Sequence, residues 1–180
     1  MQMLNQIRTT PRSSTSETAL DMLIGCHERI RHFSSMSRKL AHAQDADAQQ
    51  VQSAAEAAHR YFTVALPLHE ADENESLHPR LKRAVPAGDL AGPAADAMVD
   101  QHKAIDELLE RLLPLLQLLE RNPAKQPEVA AEMCAITSRL DDLFSEHLEL
   151  EEKVVFPAIT ASLSETDRQS LVEEMQARRK

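Results

Sequence analysis

Apolar residues recur along this chain at alternating steps of three and four, the spacing that keeps one stripe of a helix facing a neighbour. Leu20, Leu23, His27 and Ile30 share such a stripe. Ser14 with Glu17 three residues later forms a capping-box signature ahead of it, so a first helix is expected to run from there to about His42. Asp45 or Asp47 can cap a second helix that carries Ala58, Phe62, Ala65, His69 and Glu73 on one face, with Pro67 and Pro79 expected to kink or restart it. The stretch AVPAGDLAGPA (84–94) holds two prolines and two of the three glycines and reads as the clearest connection. A third helix starting near Pro93 aligns Met98, His102, Ile105, Leu109, Leu112 and Leu116. After RNPAKQ, a fourth repeats the design with Met133, Ile136, Leu140, Leu143, His147, Glu151 and Val154. A last short helix fits residues 164–180, with Ser164 and acids at its start and Arg178, Arg179 and Lys180 at its end, where each charge suits the helix dipole.

Four long helices and an appendage predict an all-α protein, an up-down-up-down four-helix bundle with an additional short C-terminal helix. Composition points the same way: the 180 residues include three glycines and are 3% aromatic and 42% apolar, enough for one well-buried core. One domain is expected over residues 14–180, behind a mobile tail of residues 1–13. A net charge of −9 offers no cationic surface to a phosphate backbone or an anionic bilayer, so neither nucleic acid nor membrane is an expected partner. The most apolar segment, LLERLLPLLQLLE (108–120), is broken by Glu110, Arg111 and Pro114, short of the roughly 20 apolar residues a span needs. Residues 1–13 contain no apolar core of a secretory signal, and the expected location is cytoplasmic. Cys26 and Cys134 belong to no CxxC and support neither a disulfide framework nor a thiolate zinc site.

The ionisable residues on the apolar stripes change the picture. HEADENESLHP (69–79) and HLELEEKVVFP (147–157) each begin with His, carry Glu four positions on and reach Pro ten positions on. Residues four apart lie above one another on a helix, so each HxxxE aims an imidazole and a carboxylate at one point. His27 precedes His69 by 42 residues and His102 precedes His147 by 45, so each half of the chain supplies one single His and one HxxxE pair. An unpaired carboxylate in an apolar interior costs several kcal/mol or takes up a proton. A shared cation explains buried Glu73 and Glu151 better. Four nitrogens and two carboxylates exceed one tetrahedral zinc and suit two adjacent metals, one held by His27 and His69, the other by His102 and His147, with Glu73 and Glu151 bridging. Imidazole with carboxylate and open positions favours iron, with manganese or zinc as substitutes.

These residues resemble the hemerythrin-like, HHE cation-binding domains: a single His, an H-x-x-x-E with a downstream Pro, and then both again across four helices. The resemblance covers roughly residues 15–162, and LSETDRQSLVEEMQARR is similar to the tail helix of bacterial members. It implies a non-haem di-iron centre with an oxo or hydroxo bridge on the six residues. It also implies a role in binding or sensing dioxygen, nitric oxide or peroxide, or in iron handling or iron-centre repair. Oxygen-carrying members place a second His one turn beyond the third-helix ligand, where this chain has Asp106. The two-glutamate set looks more like the iron-centre repair proteins and an iron-sensing hemerythrin domain, although the cysteine-bearing amino-terminal segment of some repair proteins is absent. The fold itself does not choose among these roles; the expected partner is a small diatomic ligand or peroxide, and any protein partner stays open.

Other residues carry weaker expectations. Glu70 could add a monodentate oxygen, but its direction is about 100° off the His69 stripe. Asp106 reads equally as an outer acceptor for an imidazole N–H and as a surface acid. Cys26, next to His27, is expected to pack as a small apolar residue, as is Cys134. His32, His42, His59 and His78 lie off the ligand stripes. Two rival readings are a metal-free four-helix adaptor or regulatory protein, in which the four histidines could be replaced by Leu without loss, and a ferritin-like oxidase, whose four carboxylates and ExxH spacing this chain lacks.

Overall fold

The computed structural model describes residues 18–43 and 46–180. The expected Ser14 capping box, the tail 1–13 and Asp45 lie outside the described residues. Helix α1, Ala19–Ala41, begins at Thr18, whose hydroxyl accepts from the Asp21 amide while the Asp21 carboxylate accepts from the Thr18 amide. Helix α2, Ala48–Arg60, is capped by Asp47. The chain then remains helical to Ala84 through α3, Leu66–Ala71, and α4, His78–Ala84. Helix α5 spans Ala91–Arg121, two residues earlier than the expected start at Pro93, and runs straight through Pro114. Helix α6, Gln126–Leu150, leads into α7, Phe156–Ser162, and α8, Glu165–Ala177, closes the chain behind a Ser164 cap.

Pro67, Pro79 and Pro157 do not end their helices. Each is absorbed by a widened π turn: Tyr61–Ala65 before Pro67, Asp72–Leu77 before Pro79, and Glu151–Val155 before Pro157. In all three, the residue just before the proline donates its N–H five residues back: Leu66 to Tyr61, His78 to Glu73, and Phe156 to Glu151. A proline ring collides with the carbonyl four residues before it and offers no N–H, and a wider turn relieves both faults without ending the helix. The recurrent proline ten residues after His69 and His147 thereby sets a π turn at each glutamate.

The bundle is up-down-up-down: α1 packs on α2 and α6, and α5 packs on the same two from the opposite corner. Gly88, at φ +90°, makes the left-handed turn between the halves that a side chain would resist. Two apolar clusters fill the interior. One gathers Ile30, Phe62, Leu66, Ile105, Leu116, Met133, Phe144 and Leu148; the other gathers Leu23, Leu77, Leu81, Met98, Val155, Phe156 and Leu171. Every long rod crosses from one cluster to the other at or beside a histidine: Leu23 to Ile30 past His27, Leu66 to Leu77 past His69, Met98 to Ile105 past His102, and Phe144 to Val155 past His147. None of the described helices is long and apolar enough to cross a membrane.

Helix α8 is fastened at its end, where the sequence suggested only a dipole effect. Arg178 and Arg179 reach the fully buried Asp72 at 3.0 and 2.5 Å, and Arg178 also donates to Ser76. Arg80 holds Glu174 with a two-pronged contact at 3.0 and 2.6 Å. Arg178 and Arg179 keep partial access to water, so losing Asp72 costs chiefly its charge-assisted hydrogen bonds, at about 1.5–3 kcal/mol. Asp72→Ala is therefore expected to lower the unfolding free energy in urea by about that amount, whereas Asp100→Ala, whose partner Lys103 is as exposed as itself, changes it by less than about 1 kcal/mol.

Candidate metal centre

Between the two apolar clusters lies one polar layer. His27, His69, Glu73, His102, His147 and Glu151 are each 2% exposed or less. Their ligand-type atoms fall into two sets of four, His27 with His69, Glu73 and Glu151, and His102 with His147, Glu73 and Glu151. Within each set every offered atom lies within 4.8 Å of the others, and both glutamates belong to both sets. The imidazoles pair accordingly: the rings of His27 and His69 stand edge-on with centroids 5.5 Å apart, those of His102 and His147 at 4.8 Å.

The contacts between these groups are close but misdirected. His27 Nε2 lies 2.9 Å from Glu151 Oε2, His147 Nε2 3.3 Å from Glu151 Oε1, and His69 and His102 Nε2 lie 3.4 and 3.2 Å from Glu73 Oε2. Nevertheless, Nε2 of His27, His69 and His102 and all four glutamate oxygens make no hydrogen bond among the described residues. Buried polar atoms are rarely left so, since each orphan costs about 1–3 kcal/mol. Lone pairs that converge without pointing at one another are the arrangement a cation needs, and the donor set fits one cation in each group of four. Imidazole and carboxylate suit iron, manganese or zinc, not calcium.

The electrostatics follow from burial. It pushes the Glu73 and Glu151 carboxyls well above their usual range, with each glutamate's neighbouring acids adding to the rise. The same burial drives His69 and His147 well below the imidazole range, helped by the other histidines, and lowers His102 too. Without a cation these groups therefore favour their neutral forms. A bound metal reverses the preference of the carboxyls, while these imidazoles are already deprotonated for ligation.

With Nε2 turned inward, the Nδ1 atoms of His27, His102 and His147 face oxygen acceptors and take the donor role. His27 donates from there to Glu152 Oε1 at 2.8 Å, His102 to Asn74 Oδ1 at 2.8 Å, and His147 to Gln101 Oε1 at 3.1 Å. His69 Nδ1 has no partner among the described residues. The acceptors Asn74 and Glu152 are missed by a reading of helix stripes, yet each directly follows the Glu of an HxxxE pair, and superposing the two repeats reveals them. Each reaches the single His of the opposite half. Asp106 is an exposed helix acid with no bond to His102, and Asn74 takes the acceptor role. Glu70 stands outside both sets of four; it is half-buried beside His102 and Asp106, and burial raises its carboxyl to about 7. Cys26 is buried and accepts from Arg29 at 3.1 Å, and Cys134 packs near His42. His78 pairs with Asp96 at the surface, while its counterpart Phe156 packs against the His27 ring at 4.8 Å.

Two outcomes follow from the orphan-rich layer. His69→Leu removes two buried unpaired nitrogens, so the metal-free variant is expected to be about 1–3 kcal/mol more stable than the metal-free parent, while the variant gains less stability than the parent from added ferrous iron. Denaturant titration with and without metal reads both effects. For Glu73 and Glu151, whose carboxyls are raised, stability of the metal-free fold is complete below the ordinary value of 4.5 and is lost as pH rises toward the folded value. Metal uptake must expel those protons, so apparent affinity is expected to climb with pH, with proton release visible as a buffer-dependent heat in calorimetry.

Comparison with known sequences agrees with this geometry. The sequence profile of the Hemerythrin HHE cation binding domain matches residues 18–159, and matches again over residues 93–178, where the second half of the repeat lies. A search among curated proteins returns no significant match. The first match spans all six residues of the polar layer and most of the described chain. The chain belongs to the hemerythrin HHE cation-binding domain family.

Proposed function

We propose that this protein is a non-haem di-iron protein of the cytoplasm that binds or senses a small ligand, namely dioxygen, nitric oxide or peroxide, or takes part in iron handling or iron-centre repair. The observation that carries the reading is the pair of four-donor sets sharing Glu73 and Glu151, with their lone pairs unpaired between two apolar clusters. His27 and His69 would hold one iron and His102 and His147 the other, with Glu73 and Glu151 shared between the two sets. Bound iron would supply reversible one-electron chemistry and a place for a diatomic ligand.

The chain's own residues do the rest. Glu152, Asn74 and Gln101 hold three imidazoles with Nε2 inward, which fixes ring orientation before metal arrives. Phe156 against His27, with Leu66 and Leu77 above and below the layer, keeps bulk water from the donors. Sensing or iron handling is favoured over oxygen carriage because Asp106 points to solvent where a carrier would place a further imidazole.

Metal analysis of protein purified without chelator, with optical spectra before and after aeration, tests the reading. Two irons per chain and a near-ultraviolet oxo-to-iron band are expected. Sub-stoichiometric metal that dialyses away would instead favour a metal-free adaptor.

A further inference from the structure

The two halves of the polar layer match in their ligands and differ in what stands behind them. Glu152 and Asn74 occupy equivalent positions of the repeat, one residue after Glu151 and Glu73. Both accept an Nδ1–H from the single His of the opposite half, at 2.8 Å in each case. One acceptor is a carboxylate and the other an amide. Arg31 donates to the same Glu152 oxygen at 2.7 Å, which pins that carboxylate in place; both groups are partly exposed and water screens both charges, so the direct Nδ1–H bond, at 2.8 Å, carries the difference between the halves. The remaining imidazoles do not cancel the difference, because His147 bonds the neutral Gln101 amide and His69 Nδ1 bonds nothing among the described residues. Among the described residues an imidazole Nδ1–H therefore meets a carboxylate only at His27; Glu70 and Asp106 stand near His102 but accept no hydrogen bond from it.

A histidine that donates to a carboxylate is a more electron-rich ligand than one that donates to an amide. Such a ligand stabilises the more highly charged state of its metal. We propose that Glu152 and Asn74 are positioning residues that make the two metals unequal, so that the ion held by His27 and His69 keeps the ferric state while the ion held by His102 and His147 is reduced first. In the half-reduced protein the ferrous ion, the one suited to a diatomic ligand, then sits beside His102 and His147. The inference rests on the di-iron reading and adds an order of reduction to it.

Redox titration of anaerobically iron-loaded protein tests it, with Glu152→Gln and Asn74→Asp compared against the parent. Each reduction adds one electron from a mediator to one ferric ion. Both replacements keep side-chain shape and an oxygen that can accept the Nδ1–H, while changing the charge. Glu152→Gln is expected to ease the second reduction about tenfold, which is about 59 mV upward for a one-electron couple. Asn74→Asp is expected to hinder the first reduction by a similar factor, and the double variant to restore two separated steps. Mere loosening of the site would move both variants the same way, so opposite signs are the signature. Asn74→Asp adds an anion and deletes nothing, so its potentials decide the question even where Glu152→Gln loads poorly. Potentials unchanged in Asn74→Asp, or shifted in the same direction in both variants, overturn the inference and leave the di-iron reading standing. A parent chain that takes up no iron overturns both.

Discussion

Burying four imidazoles and two carboxylates in one layer of a helical bundle is the constraint on which the rest of this structure depends. The layer interrupts an apolar interior that would otherwise run unbroken from the Leu23 end to the Leu116 end. Its glutamates are pushed toward the neutral acid, and His69 and His147 toward the neutral base. Most of its inward-facing atoms lack hydrogen bonds among the described residues. As an adaptor core, this arrangement would forfeit stability that leucine at the same positions would supply. As a cradle for two cations it is coherent, since one pair of charges satisfies the converging lone pairs at once.

The surrounding helices are shaped by the same demand. A glutamate four residues after a histidine already shares its face, but a bridging carboxylate must reach past its own histidine toward the neighbouring rod. The π turns that begin at or beside Glu73 and Glu151 locally widen the helix there, and Pro79 and Pro157 hold those turns in place by denying the ordinary hydrogen bond. The buried ion pairs of Asp72 with Arg178 and Arg179 pin the first π turn from outside, so the C-terminal helix braces the segment that carries Glu73.

Much of this is legible in the sequence. The three-and-four spacing of Met98, His102, Ile105 and Leu109 locates a buried helix face, and the duplicated HxxxE with its upstream histidine locates the polar layer. Such periodicity records which side of a helix faces inward, and burial enforces it. What periodicity does not record is how a helix accommodates a proline or which side chain a charged tail will find. Pro67 and Pro79 therefore read as kinks or restarts, although the chain widens into π turns and stays helical. Arg178 and Arg179 read as partners of a dipole, although their partner Asp72 lies more than a hundred residues away. Asp106 reads as a candidate imidazole acceptor because it lies one turn from His102, while the true acceptor, Asn74, comes from another rod. Contacts between rods depend on the packing of the whole bundle and leave no local trace.

The repeat also shows where near-symmetry ends. His27 and His102, His69 and His147, and Glu73 and Glu151 correspond across the halves. Behind the ligands the halves diverge, with Glu152 against Asn74, and Phe156 against His78. On the proposed di-iron reading, similar first contacts with dissimilar support would give two like metals unlike properties. The most direct test of the central claim is anomalous diffraction at the iron edge from crystals of the iron-loaded protein. Two peaks are predicted inside the bundle, one touching His27 and His69, the other touching His102 and His147, with Glu73 and Glu151 reaching both. The same six side chains gathered around no anomalous density, with iron found only at the surface, would contradict the account.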